Sequence, residues 1–365
     1  MGTRIVSRKN QVRSILFVVL LMAITISVML KEYRISEIAR VIRSVHPFYL
    51  CAGILMMFVY VGCQALNLNL ILRRLGHPAS YLKCIGYAYV GTYFGAITPG
   101  ASGAQPAQVY YMNKDRIHVD LSAITVFLMV SVSQIVMLVY GGLAAVLRFE
   151  YVSGYKTWMK YLIIAGAAVI LGLTLILVAV MFLGKTVPFL IRNGLRLGEK
   201  VRLVKNGEEL KRKLDGLVAS YQDKSHYILK HPGLFVRVFL VALVQWTAYY
   251  MVSYLVYLGF GHRSAGAVDL MAGQALISIA VVAIPLPGAV GIAENAFLNV
   301  FLRFYSMDEL PSAMVLTRVI NFYMPLLIAF AFYMTVHVRA MRQNRLKKKN
   351  HPWMTTPGNG SNHRL

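Results

Sequence analysis

The chain has 365 residues, 58% of them hydrophobic and only 14% charged, with a formal charge of +24. Several apolar runs reach the roughly 20 residues needed to cross a bilayer, which excludes a soluble globular domain and indicates a polytopic membrane protein. The basic residues lie in loops and tails between these runs, so the charge reads as orientation and contact with anionic lipid, and no nucleic-acid partner is expected.

Arg4, Arg8, Lys9 and Arg13 precede an apolar run from Ser14 to Leu30. No small-residue cleavage site follows it and more spans come after, so it reads as a retained first helix. Ile35, Ile38, Ala39 and Ile42 recur at helical spacing and predict a short amphipathic helix over 31–46. A second span opens at Pro47 and runs to about Leu72. Its Gln64, Asn67 and Asn69 are expected to face other helices.

Tyr81 to Met112 is broken in its middle by Thr98-Pro99-Gly100-Ala101-Ser102-Gly103-Ala104-Gln105-Pro106. Irregular backbone at membrane depth is tolerated where it is buried in protein or lines a wet cavity. Spans are predicted over Leu121–Leu147, with Ser131, Ser133 and Gln134 inside, and over Tyr161–Leu183. Residues 184–233 form the one substantial polar region, where Leu210, Leu214, Leu217 and Tyr221 mark a basic amphipathic helix on the membrane surface or the bundle. Leu234–Leu258 spans again. Leu270–Val300 is a second broken element, carrying Ile284-Pro285-Leu286-Pro287-Gly288-Ala289-Val290-Gly291. Val315–Val338 is the last span, and residues 339–365 form a basic tail with a disordered end.

The expected fold is therefore all-α: about six full spans plus two re-entrant helical hairpins. They fall in two membrane halves, 1–183 and 234–338, separated by the 184–233 loop. Both broken elements contain Pro-Gly-Ala-x-Gly, and paired broken segments in two halves of an apolar chain point to a transport site. Placing the basic 184–233 loop and the tail in the cytoplasm puts the amino terminus there too. Counting through the spans, residues 81–112 enter from the cytoplasmic side and 270–300 from outside, an inverted pseudo-repeat. Residues 31–46 then fall outside, although Lys31, Arg34, Arg40 and Arg43 run against that placement and Glu32 and Glu37 offset them only in part.

A re-entrant turn presents a helix N-terminus, whose amides and dipole favour an anion. The candidate donors are the amides around Ser102, Gly103 and Gln105, the Ser102 hydroxyl, the Gln105 and Gln108 side chains, and the backbone from Gly288 through Gly291. Pro99, Gly100, Pro285 and Pro287 are the helix breakers. Glu294 is the only acid between Asp269 and Asp308. A charge at a helix centre costs roughly 2.5–3.5 kcal/mol on insertion scales, so it needs a partner, and Arg318 is the obvious one. The pair holds helices together, or it serves a lipid, with Arg318 on the phosphate and Glu294 on a cationic head group; both roles are compatible. Tyr81, Tyr87, Tyr89, Tyr93, Tyr110 and Tyr111 either line a polar path or sit as interfacial residues. Gly91-x-x-x-Gly95 is a weak close-packing signal. Cys51, Cys63 and Cys84 lack ligand spacing and the nine histidines are scattered, so neither a metal site nor a cofactor is expected.

At these residues the sequence resembles the lysylphosphatidylglycerol synthase transmembrane family, the flippase-like domain of the multiple peptide resistance factor. The resemblance covers roughly residues 10–340 and rests on Thr98–Pro106, on Pro285 through Glu294, and on Arg318 with Asn321 and Tyr323. It implies that the membrane domain carries an aminoacylated lipid between leaflets, while a following soluble domain makes that lipid. Only a short basic tail follows Val338, so the synthase activity is not expected of this chain. Relatives often carry an acid or arginine where this chain has Gln105-Pro106-Ala107-Gln108, which bears on head-group preference.

The expected function is thus translocation of a phospholipid such as lysylphosphatidylglycerol in a bacterial cytoplasmic membrane, linked to resistance to cationic antimicrobial peptides. Both termini would be cytoplasmic, no residue is assigned a catalytic role, and Asn321 and Tyr323 join Glu294 as head-group candidates. The alternatives are a membrane-embedded enzyme acting on a lipid, or a scaffold for a separate synthase. A second copy of the chain is a further candidate partner.

Overall fold

The computed structural model describes residue 43 and residues 45–182 and 231–335. The expected first span (14–30), most of the 31–46 helix, nearly all of the 184–233 loop and the 339–365 tail lie outside the described residues. Those described are all-α, with ten helices and no strand. Five are long and apolar enough to cross a membrane: α1 (Pro47–Arg74), α4 (Val119–Leu147), α6 (Thr157–Phe182), α7 (Pro232–Gly259) and α10 (Leu310–Thr335). The others are α2 (Tyr81–Ile97), α3 (Ala104–Lys114), α5 (Phe149–Ser153), α8 (Ala267–Val282) and α9 (Ile292–Phe301).

Helices α1 and α7 are built alike. Each has 28 residues and opens on His-Pro, at His46-Pro47 and His231-Pro232. Proline suits a first turn because its missing N–H has no partner there anyway. The two helices pack antiparallel. Val45 sits against Gly259, Gly53 lies beside Val252, and the Tyr60 and Trp246 rings are 5.8 Å apart. His46 N–H donates to the Gly259 carbonyl at 3.1 Å, and a Cβ on Gly259 would overlap Val45.

Each of these helices is followed by a broken hairpin and then a long helix. In the first hairpin α2 and α3 run antiparallel, with Gly91 against Gln108 and Gly95 against Ala104. In the second, α8 and α9 do the same, with Gly273 against Val300 and Phe301. The long arms have 17 and 16 residues and the short arms 11 and 10. At 1.5 Å per residue these reach about 25 and 16 Å, short of a hydrocarbon core of about 30 Å. The first hairpin follows the end of α1, where Asn69 holds the Ala79 carbonyl, and Tyr81 reaches back to the Gly62 carbonyl in the middle of α1. The second opens at the other end, where α7 finishes and Tyr257 holds Ala265. The tips of the two hairpins touch.

The apolar core is divided in the same way. One cluster surrounds the first hairpin and gathers the end of α1, the starts of α4 and α7 and the end of α10. A second surrounds the second hairpin, and a small third joins α4, α6 and α8 through Met137, Ile170 and Ile279. The boundaries differ from expectation in several places, and α6 begins at Thr157 rather than Tyr161. The last long helix begins at Leu310 rather than Val315, because Pro311 initiates it early. The short helix α5 was not expected between α4 and α6.

Candidate functional site

The site is built where the two tips meet. At the first tip α2 ends on Thr98, whose hydroxyl donates to the Phe94 carbonyl at 2.6 Å and accepts from Gly103 N–H at 2.9 Å. One side chain thus bridges the break on both sides. Pro99 removes a donor, and Gly100 and Ala101 follow in the left-handed region at φ 58° and 56°. At the second tip Leu286 has φ −108° and ψ 142°, against −109° and 145° for Thr98. Gly288 and Ala289 again take positive φ, 60° and 48°. Pro-Gly-Ala therefore adopts one conformation twice. A left-handed alanine costs about 1–2 kcal/mol, and such strain clusters where function over-determines the backbone.

The exits from the two turns differ. Ser102 and Gly103 are right-handed helical and run straight into α3. Val290 is extended and Gly291, at φ 84°, resets the chain before α9. The reason is Glu294. Its Oε2 accepts from Gly291 N–H at 2.6 Å, and its Oε1 accepts from Arg318 Nε at 2.6 Å. Arg318 Nη2 in turn donates to the Gly288 carbonyl at 3.0 Å, and the guanidinium lies 4.6 Å over the Phe322 ring. The side chains of Glu294 and Arg318 are 4% and 14% exposed, so the pair is taken out of solvent. The pairing of Arg318 with Glu294 expected from sequence is present.

The expectation of vacant tip amides needs correction. Gly291 N–H is occupied by the chain's own carboxylate, and Gly103 N–H by Thr98. Ser102 N–H donates to the Pro99 carbonyl, which leaves the exposed Ser102 hydroxyl and half-buried Gln105 beside the first tip. Gln108 is not at the tip: it is buried along the hairpin and donates to the Tyr87 carbonyl at 3.2 Å, clamping α3 to α2. Pro99, Gly100, Pro285 and Pro287 are exposed at the tips. Of the tyrosines, Tyr87 donates to Asp115 at 2.6 Å and Tyr81 to the Gly62 carbonyl, while two others pack against α10. Tyr93 stacks on Tyr333 at 5.2 Å and Tyr89 on Phe332 at 4.9 Å, an aromatic seam between the first hairpin and the end of α10.

Asn321 and Tyr323 lie in a π turn, Val319–Tyr323, immediately after Arg318. The turn has a local cause that the sequence analysis missed. Pro325 has no N–H and its ring would collide with the carbonyl four residues back, at Asn321, so the helix widens there. Both polar atoms of the buried Asn321 amide lack a protein partner. They border a cavity of about 40 Å³ lined also by Tyr249, Gln274, Ser278, Thr317 and Arg318. That space holds about one or two waters, enough to serve the orphaned amide. The Tyr323 ring lies beside Phe322, 5.8 Å from the guanidinium. The cavity, the Thr98 clasp and the π turn are the parts of the site that sequence reasoning did not find.

Two relatives are archaeal. A UPF0104 membrane protein of Pyrococcus horikoshii is 23% identical over 286 residues, covering 77% of this chain and 84% of that protein. A UPF0104 membrane protein of Archaeoglobus fulgidus is 22% identical over 316 residues, covering 83% and 92%. The family model described as the lysylphosphatidylglycerol synthase transmembrane region matches residues 12–329, and the chain belongs to that family.

Proposed function

We propose that this membrane protein is a lipid translocase, with a lipid phosphate passing between the two hairpin tips. The observation that carries the proposal is the meeting of two identically strained tips beside the buried Glu294–Arg318 pair. In this reading the hairpins are re-entrant, too short to cross and opening on opposite faces, and the two halves form an inverted repeat. The cytoplasmic face is the end where α6 leaves, α7 begins and α10 finishes, because the basic 184–233 and 339–365 segments adjoin it in sequence.

The resident carboxylate defines the chemistry. Glu294 occupies the donors that an anion would use, so a lipid phosphate binds Arg318 and Gly291 N–H by exchanging with it. The displaced carboxylate then meets a cationic group on the same head group, as an aminoacylated phosphatidylglycerol would supply. The Ser102 hydroxyl and Gln105 amide add neutral donors from the other tip. The named relatives are archaeal, so the substrate class is a phosphate-bearing lipid with a cationic head-group substituent, of which lysylphosphatidylglycerol is the bacterial example. Moving such a lipid to the outer leaflet would lower surface negative charge and weaken binding of cationic peptides.

The test is reconstitution in liposomes with labelled lysylphosphatidylglycerol. Leaflet exchange that Glu294→Gln and Arg318→Ala abolish supports the proposal, and exchange that survives both overturns the site. Chemical modification of the lipid without exchange would favour a membrane enzyme. Cellular effects that require a separate synthase would favour a scaffold.

A further inference from the structure

A second feature adjoins the second tip from outside. An open groove of about 900 Å³ runs between the start of α6, α9 and the residues leading into α10. That is within the range of small-ligand sites, about 300–1,000 Å³. Its walls are apolar, with Leu162, Ile284, Ile292 and Leu298 among them. Its open side is on the surface of a membrane protein, so hydrocarbon chains are the surrounding medium.

Two asparagines interrupt this apolar wall. Asn295 and Asn299 are four apart on α9 and so share a face of the helix. A polar amide facing hydrocarbon without partners is costly. Each amide makes one protein hydrogen bond: Asn295 Nδ2 donates to the Gly291 carbonyl at 2.7 Å, and Asn299 Oδ1 accepts from Lys156 N–H at 3.4 Å. Each side chain has further hydrogen-bonding capacity. The asparagines form a polar strip from Lys156 at one end of the groove to Gly291, whose own N–H is held by Glu294, at the other. Lys156, Trp158 and Tyr161 stand together at the outer end, all exposed. A lysine beside tryptophan and tyrosine is the signature of head-group depth.

We infer that this groove is the lateral route by which an anionic phospholipid reaches the second tip, its head group on the Lys156–Asn299–Asn295 strip and an acyl chain on the apolar wall. The inference rests on the part of the translocase reading that brings a lipid phosphate to the second tip, and it takes a net-anionic phospholipid, rather than the cationic aminoacylated one, as the groove's occupant. It assigns Asn295 and Asn299 as positioning residues for the head group and Lys156 as the group that selects negative charge.

The test places a photo-crosslinking amino acid at Leu298, in the groove, and separately at Leu175, which is 60% exposed further along α6. The probe is a vesicle of phosphatidylcholine with a minor share of phosphatidylglycerol. Adducts at Leu298 should be enriched several-fold in phosphatidylglycerol over the vesicle composition, while adducts at Leu175 should match it. Enrichment should disappear in Asn295→Leu/Asn299→Leu and fall in Lys156→Gln. Equal composition at both positions, or adducts at Leu298 mainly to protein, overturns the inference. If the Leu298 variant fails to fold, Trp158 replaces it as reporter in a Trp246→Phe/Trp353→Phe chain. Acyl-brominated phosphatidylglycerol must then quench it more strongly than brominated phosphatidylcholine, and equal quenching overturns the inference. Leaflet exchange of labelled lysylphosphatidylglycerol added to the same vesicles separates the two ideas. Enrichment without exchange sinks the translocase and leaves the groove, whereas exchange without enrichment sinks the groove alone.

Discussion

Arg318 Nε and Glu294 Oε1 lie 2.6 Å apart with both side chains nearly out of solvent, and the arginine also holds the Gly288 carbonyl. One cation thus fixes the last long helix to the second tip. Removing one member of such a buried pair leaves the other uncompensated and typically costs about 3–5 kcal/mol, whereas removing both is much milder. Glu294→Gln and Arg318→Ala are therefore each expected to lower the melting temperature sharply in detergent, and Glu294→Gln/Arg318→Met to recover most of the loss. Lipid exchange should stay lost in the double variant. Exchange that returns with stability would make the pair purely structural.

Gly100 and Gly288 share one backbone conformation but not one environment. Nothing lies within 4 Å of a Cβ added at Gly100, while one added at Gly288 would overlap the Phe322 ring. Gly100→Ala should cost only the left-handed penalty, about 1–2 kcal/mol. Gly288→Ala should cost that plus an overpacking term of about 1–3 kcal/mol. Phe322→Leu should rescue Gly288→Ala in part and leave Gly100→Ala unchanged, as read by thermal unfolding. Equal effects of the two glycine substitutions would show that the second tip relaxes away from Phe322.

These two comparisons show how far the sequence could be followed. The spans were legible because long apolar runs leave few other structures open to the backbone in lipid. The duplicated Pro-Gly-Ala was legible, and so was Glu294 with Arg318, since an isolated acid in an apolar stretch demands a nearby base. What the motif could not convey is that its last glycine does two different things. Gly103 continues a helix, whereas Gly291 turns at positive φ because a carboxylate three residues on captures its amide. The same capture removed a donor that the sequence offered to a ligand. The π turn was within reach through Pro325, but the orphaned Asn321 amide is set by what α7 and α8 place against it.

At the opposite end from the first hairpin's mouth, Glu309 accepts from the Ser306 hydroxyl at 2.7 Å and pairs with His262 at 3.1 Å. The Ser306 hydrogen bond, with the nearby His262, holds its carboxyl below the usual value. A carboxylate depressed in the folded state stabilises above its unfolded pKa, and that contribution is lost as pH falls through the folded value. The contact should therefore be intact at neutral pH and loosen below the ordinary glutamate range. Hydrogen exchange over residues 302–309 should accelerate there in the parent chain, beyond the intrinsic pH effect. In Glu309→Gln this extra dependence should be absent. The Glu309 side chain is more than a third exposed, so the change should stay local and leave the overall melting temperature nearly unmoved.

The opposed mouths of the two hairpins give the most direct check on topology. Lys83 on α2 and Val268 on α8 hold nearly equivalent positions in the first turns of the long arms, and both are exposed. If the hairpins enter the membrane from opposite faces, a cysteine at each should react with a membrane-impermeant maleimide from opposite sides of sealed vesicles. The background is Cys51→Ser/Cys63→Ser, with Cys84 left in place because it is fully buried. Lys83→Cys should label from the side that carries the basic carboxyl-terminal tail, and Val268→Cys from the other. Labelling of both from one side would break the inverted repeat. The touching tips would then belong to two hairpins entering from the same face, and a path between leaflets would have to run elsewhere. Labelling from opposite sides places the tips between two aqueous approaches, where a head group released from one hairpin's mouth faces the other.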